Sequence, residues 1–130
     1  MALQSCGANV ATECYQVQIM LIEAEPSWIG TTKAAQLERA DGYVTLAEAL
    51  VAQSVKDETL AAHQTQLVAQ YRQVGELTQA QAAFMETDGS VLLTTAAMRE
   101  DYDRLSQQLI AAHDGAEVEQ NALQLYCSLQ

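Results

Sequence analysis

The chain has 130 residues and a formal net charge of −11 at neutral pH, from 17 acidic and six basic side chains. A domain of this length can bury a sufficient core without metals or disulfides. The six cations are scattered and form no basic stripe, which argues against nucleic acid as a partner, because phosphate backbones are bound by clustered positive charge.

The composition predicts an all-α fold. Alanine occurs 22 times and glutamine 16 times, and both residues form helices readily. Valine, isoleucine and threonine never alternate with polar residues as they do in half-buried strands. We therefore predict one helical domain over residues 8–130, preceded by a flexible tail over residues 1–7. No apolar run approaches the roughly 18 residues that a membrane-spanning helix needs, so no membrane span is predicted.

The first helix is predicted over residues 8–25. Its apolar residues recur at spacings of four, three and four, which places them on one face toward a core: Val10, Cys14, Val17 and Leu21. Pro26 ends this helix, because its ring disfavours helical backbone in the preceding residue. After a short loop, Thr31 or Thr32 can cap a second helix that reaches Asp41.

Gly42 is predicted to end the second helix as a left-handed cap. Thr45 and Glu48 then have the spacing of a capping box, which restarts a helix toward Ser54. The middle of the chain is thus predicted to contain two short helices.

The longest periodic segment lies between Asp57 and Thr87. Gly75 stands in its middle and costs about 1 kcal/mol of helix stability relative to alanine. Two interpretations stay open, because Gly75 either turns the chain between paired helices or lies within one long helix. The choice decides between an open array of hairpins and a closed bundle.

The last third of the chain is predicted to form two helices. Asp88, Gly89 and Ser90 separate them from the preceding segment, and Thr94 or Thr95 caps the first of the two. Gly115, after Asp114, is predicted to end it. The final helix, residues 116–129, is predicted to turn one apolar stripe toward the core, made of Val118, Ala122, Leu125 and Leu129.

A run in the middle of the chain resembles a tetratricopeptide repeat, a pair of antiparallel helices that stacks into a solenoid. The residues that carry the resemblance are Leu67, Tyr71, Gly75, Leu77, Ala80 and Phe84. It covers at most residues 28–93, and it implies a tight turn at Gly75. It also implies that four residues of the first repeat helix face a partner protein, namely Thr65, Ala69, Arg72 and Gln73. The fold is therefore predicted to be a short array of antiparallel hairpins or a closed bundle of four to five helices.

Three cysteines, Cys6, Cys14 and Cys127, lack the CxxC spacing of zinc and redox sites. They are interpreted either as buried free thiols or, for Cys14 and Cys127, as a disulfide between the first and last helices. The disulfide would imply an oxidising compartment.

No pattern of catalytic residues is present, so an enzyme is not predicted. His63 and His113 lack the helical partners of a metal site, and neither a metal nor a cofactor is expected. The acidic cluster of residues 100–103 is flanked by Arg99 and Arg104, which is typical of a solvated helix face.

Binding of another protein is the predicted function, as an adaptor or a secretion-type chaperone with a partner that is basic or helical. The alternative is a closed bundle in the periplasm or cell envelope that senses a ligand or partner. A homodimer through the last two helices is a further hypothesis. The expected location is the cytoplasm, or the periplasm if Cys14 and Cys127 form a disulfide or a signal peptide has been removed.

Overall fold

A computed structural model describes residues 2–26 and 29–130, with side chains from Val10 onward in the first helix. It contains four helices: α1 (Ala2–Glu23), α2 (Lys33–Ala52), α3 (Glu58–Ala82) and α4 (Ala96–Ser128). The described residues form no strand beyond an isolated bridge between Met85 and Val91. The all-α prediction is confirmed. Within these residues, no helix combines the length and apolar character that crossing a membrane requires.

Contacts between the helices show that neighbours run antiparallel. Early α2 meets late α3, where Gln36 donates hydrogen bonds to Thr78 O and Gln81 Oε1, and late α2 meets early α3, where the Gln64 side chain bonds Gln53 O. The α3–α4 pair and the α1–α4 pair are antiparallel as well. The helices therefore form a closed up-down-up-down bundle, one of the two predicted architectures.

The helix starts follow local capping chemistry. Thr32, Asp57 and Thr95 are the N-caps of α2, α3 and α4, and each accepts a hydrogen bond from a backbone N–H three residues later. The predicted caps at Thr32 and Thr95 are confirmed. The start predicted for α1 is wrong, because the tail predicted for residues 1–7 is helical from Ala2 onward. Alanine, leucine and glutamine in this stretch favour helix, and no proline interrupts it.

Gly42 does not turn the chain, so the predicted break in α2 is wrong. Gly75 lies within one long helix, the second of the two interpretations left open, and not at the tight turn that the repeat resemblance implies. Each glycine marks a close approach instead. A Cβ on Gly42 would lie 3.0 Å from Pro26 Cβ, and one on Gly75 would lie 3.0 Å from the carbonyl oxygen of Ala40. Because they lack a Cβ, the two glycines let Pro26, which follows α1, and helix α3 pack closely on α2.

Helix α4 also continues through Gly115, so the predicted end at Asp114 and Gly115 is wrong. Because the helix is unbroken, its core face runs from Ala112 through Ala116 to Leu123, and all three residues are buried. The stripe predicted for residues 116–129 lies on another face. Its three large members are exposed: Val118, Leu125 and Leu129.

The core lies between all four helices. The largest fully buried side chains are Val17 of α1, Leu50 of α2, Leu123 of α4 and, from α3, Leu60, Leu67 and Val74. The stripe predicted for α1 is confirmed, with Cys14, Val17 and Leu21 buried and Val10 partly buried against the core. Burial of this shared apolar surface is the main force that holds the bundle together.

Candidate functional site

A groove between the end of α2 and the middle of α3 is the first candidate site. It has a volume of about 380 Å³ and is lined by Val51, Gln64, Thr65, Val68, Ala69 and Arg72. Three of the four residues predicted to face a partner lie here together, namely Thr65, Ala69 and Arg72. The fourth, Gln73, is exposed on α3 and does not line the groove.

The Gln64 side chain shapes one wall of this groove. Its amide donates hydrogen bonds to the carbonyls of Leu50, in the last turn of α2, and of Gln53, the C-cap of that helix. This ties α2 to α3 and leaves Val51 56% exposed at the groove edge. The floor is apolar, from Val68 and Ala69. Arg72 is exposed and lines the groove with Val68 and Ala69. None of the ion pairs among the described side chains involves it.

Cys14 and Cys127 lie side by side and join α1 to α4. Their Cα atoms are 5.6 Å apart and their sulfur atoms are at bonding distance. Next to Cys14, the buried carboxylate of Glu13 accepts hydrogen bonds from the backbone N–H groups of Lys56 and Asp57 at 2.7 and 3.2 Å. The start of α3 is thereby attached to α1 at the same end of the bundle.

A second candidate site is a cavity of about 180 Å³ in the other half of the bundle. All four helices or their ends contribute to its lining, which is Leu21, Glu25, Pro26, Tyr43, Leu46, Tyr71, His113, Ala116, Glu117 and Gln120. The rings of Tyr43 and Tyr71 stack with centroids 6.1 Å apart, and His113 meets Tyr43 edge-on at 5.6 Å. The site thus combines aromatic walls with two carboxylates.

Burial controls the ionisation of these aromatic groups. It raises the pKa of Tyr43 and of Tyr71 to about 12, and the nearby Glu25 carboxylate adds to the rise in both. Burial also lowers the pKa of His113, against an opposing effect of Asp114. At neutral pH the cavity therefore contains two neutral phenols and a neutral imidazole.

An alkaline titration followed by absorbance at 295 nm is expected to show Tyr43 and Tyr71 ionising near pH 12. Their raised pKa stabilises the fold fully below pH 10, and that contribution is lost as the pH rises toward about 12. The late absorbance change is expected to coincide with loss of helical circular dichroism. Tyr43→Phe and Tyr71→Phe should each remove about half of it.

Tyr15→Phe is the control, because Tyr15 is 66% exposed, whereas Tyr43 and Tyr71 are buried. It should leave the late change intact. Complete ionisation of all tyrosines before the helical signal falls would contradict the assignment.

Helix α4 carries an exposed apolar stripe on the side away from the core. Its members are Ile110, Val118, Leu125 and Leu129, each more than half exposed. They fall within about a 100° arc of the helix. The hypothesis of a homodimer through the last helices stays a prediction, and this stripe is the surface that such a dimer would use.

Among the described residues, no group of three His, Cys, Asp or Glu side chains could hold a metal ion. His63 pairs instead with Glu119, with 2.6 Å between Nδ1 and Oε1. Comparison with protein-family models, curated proteins and solved structures finds no match.

Sequence reasoning missed the aromatic cavity. Its lining comes from four separate segments, so no local spacing links Glu25 to Tyr71 or His113. The one local signal is that Tyr43, Tyr71 and His113 are polar aromatic residues, which occur in helix interfaces for many reasons. Only the order in which the helices pack brings them together.

Proposed function

We propose that this chain is a non-catalytic helical domain that binds another protein through the groove between α2 and α3. The observation that carries the proposal is the groove itself, whose lining includes Thr65, Ala69 and Arg72 beside exposed Val51. An open apolar floor next to a cation is the arrangement that docks an apolar anchor residue together with a polar group.

The partner segment has two chemical features. It presents an apolar side chain to Val51 and Val68, and it places a carbonyl or carboxylate oxygen against the guanidinium of Arg72. The net charge of −11 attracts a partner that is basic overall. Attraction at long range and acceptor recognition at Arg72 are compatible, because they act at different distances.

We further propose that the domain works in an oxidising compartment such as the periplasm. The adjacency of Cys14 and Cys127 supports this location, because disulfides persist there and are rare in the cytoplasm. This favours an envelope protein over the cytoplasmic adaptor among the hypotheses drawn from the sequence.

A photocrosslinking amino acid at position 65 tests the groove. In native cell extract it is expected to form a discrete crosslinked product with one partner. Ala69→Arg fills the groove floor and should reduce the yield at least tenfold, because losing a central anchor contact costs about 2 kcal/mol or more. Arg72→Glu should reduce it similarly.

Ala97→Arg is the matched control, since it adds the same side chain at an exposed position in the first turn of α4. It should leave the yield unchanged. Equal yields from Ala69→Arg and Ala97→Arg, or the absence of any discrete product, would rule out the groove as the docking site.

A further inference from the structure

We infer that the bond between Cys14 and Cys127 is a redox switch, whose reduction releases α1 from the bundle while α2, α3 and α4 stay folded together. The groove proposed as the docking site lies between α2 and α3, and no residue of α1 lines it. The switch can therefore fail its test while the docking site passes, and the reverse.

The core is built mainly by the other three helices. Of the six largest fully buried side chains, Val17 alone belongs to α1, and the other five lie in α2, α3 and α4. The described part of α1 adds the smaller contributions of Cys14 and Leu21 to the buried apolar set. Most of the buried apolar surface that stabilises α2, α3 and α4 is therefore shared among these three helices and does not require α1.

Open grooves run along both sides of α1. The groove toward the end of α2 has a volume of about 430 Å³, and Ile19, Met20 and Gln53 are part of its lining. The groove toward α4 has a volume of about 340 Å³, and Ile19, Gln120 and Gln124 are part of its lining. Side chains that border a groove lack the dispersion contacts of a filled interface, so α1 is held loosely by its neighbours.

Helix α1 also buries a carboxylate against the start of α3. Glu13 is 8% exposed, and its two oxygens accept hydrogen bonds from the backbone N–H groups of Lys56 and Asp57. Removing a carboxylate from water is costly, and these two bonds only offset that cost. When α1 leaves, the carboxylate regains its hydration. Release of α1 is therefore easier than separation of two wholly apolar faces.

The bond between Cys14 and Cys127 prevents this release. It connects α1 directly to the end of α4, although the two residues are 113 positions apart in the chain. While the bond is closed, α1 cannot move away from α4. Cys14 is 3% exposed, whereas Cys127 is partly exposed, so a reductant reaches the pair from the side of Cys127.

The reductant that fits this chemistry is a protein dithiol. One of its thiolates attacks Sγ of Cys127 and forms a mixed disulfide, and Sγ of Cys14 leaves as a thiolate that takes up a proton. The second thiolate of the reductant then displaces Sγ of Cys127, which is protonated in turn. Two electrons pass from the dithiol to the cysteine pair, and the reductant is left as a disulfide.

Hydrogen exchange followed by mass spectrometry tests the switch on the whole chain with and without dithiothreitol. After reduction, we expect the amides of α1 to fall below a protection factor of about 10, whereas those of α3 stay above about 100. Loss of protection in α1 and α3 together would mean that the fold unfolds as one unit and would overturn the inference. Protection of α1 that survives reduction would overturn it as well.

Thiol labelling measures the same opening without a reductant. Cys6→Ser combined with Cys127→Ser leaves Cys14 as the sole thiol of the chain, and Cys14 reacts with a maleimide when α1 opens. In this background, Val17→Ala is expected to speed the labelling at least about fivefold, because it removes a buried apolar contact that holds α1.

Two matched variants separate local release from global unfolding. Gly75→Ala crowds the contact between α2 and α3, where its Cβ would lie 3.0 Å from Ala40 O, and Ile22→Ala removes a side chain of α1 that is 72% exposed. We expect each to change the labelling rate of Cys14 by less than about twofold. An acceleration by Gly75→Ala as large as that by Val17→Ala would show that α1 opens only with the whole fold, and would overturn the inference.

Discussion

Reduction of the Cys14–Cys127 pair is expected to lower the free energy of unfolding by about 4–5 kcal/mol. The two residues are separated by 113 positions, so the bond closes a loop of nearly the whole chain. Closing so long a loop removes much of the conformational freedom of the unfolded state. Urea unfolding with and without a thiol reductant measures the effect as a shift of the midpoint.

Cysteine variants provide the controls for this prediction. The double variant Cys14→Ser and Cys127→Ser should unfold at the lower midpoint and be insensitive to the reductant. Cys6→Ser should retain the full effect and leave one bonded pair, which mass measurement under non-reducing conditions detects. A midpoint in the wild type that the reductant does not move would contradict the bond between α1 and α4.

Gly75→Ala and Gly115→Ala are expected to change stability in opposite directions. A Cβ at position 75 would lie 3.0 Å from the carbonyl oxygen of Ala40 and 2.9 Å from Val44 Cγ2, and the backbone atom cannot move aside without shifting α2. Overpacking of this kind costs about 1–3 kcal/mol, which exceeds the gain of roughly 0.5–1 kcal/mol in helix propensity. We therefore expect Gly75→Ala to destabilise the fold by about 1–2 kcal/mol.

Gly115→Ala is the matched change in α4. The atoms nearest to its new Cβ belong to the end of the Gln70 side chain, with Oε1 at 2.8 Å, and this flexible group can rotate away. The helix gain then remains, and we expect stabilisation by about 0.5–1 kcal/mol. Thermal unfolding of the two variants beside the wild type measures both signs. Stabilisation by Gly75→Ala would show that α2 and α3 do not pack as closely as described.

The structure explains why glycine was a misleading signal at positions 42 and 115 and an ambiguous one at position 75. Gly42, Gly75 and Gly115 all lie inside helices, whereas the described glycines with positive φ are Gly30 and Gly89, both in connections. A sequence shows that a residue lacks a Cβ but not whether a turn or a neighbouring helix requires its absence. That requirement comes from residues distant in the chain, Pro26 for Gly42 and Ala40 for Gly75, and cannot be read locally.

The outward position of Val118, Leu125 and Leu129 has the same origin. The sequence predicts a final helix with its own phase, because Gly115 is predicted to end the helix before it. Once α4 is continuous, each residue advances about 100° around the axis from Ala112, and the core face passes through Ala116 and Leu123. The wrongly predicted break at Gly115 thus assigned a whole exposed stripe to the core.

The amino-acid sequence by itself determined that this protein is helical and acidic, where α1 ends to within two residues, where α2 and α4 begin, and which face of α1 is buried. These properties follow from local causes: helix propensity, a capping hydroxyl, one proline and a spacing of three and four. Only the tertiary structure decided that four long helices form a closed bundle, that Cys14 meets Cys127, and that the tyrosine cavity exists. Each of these depends on which helices are neighbours, and that choice is made by the packing of the whole core, which no short segment encodes.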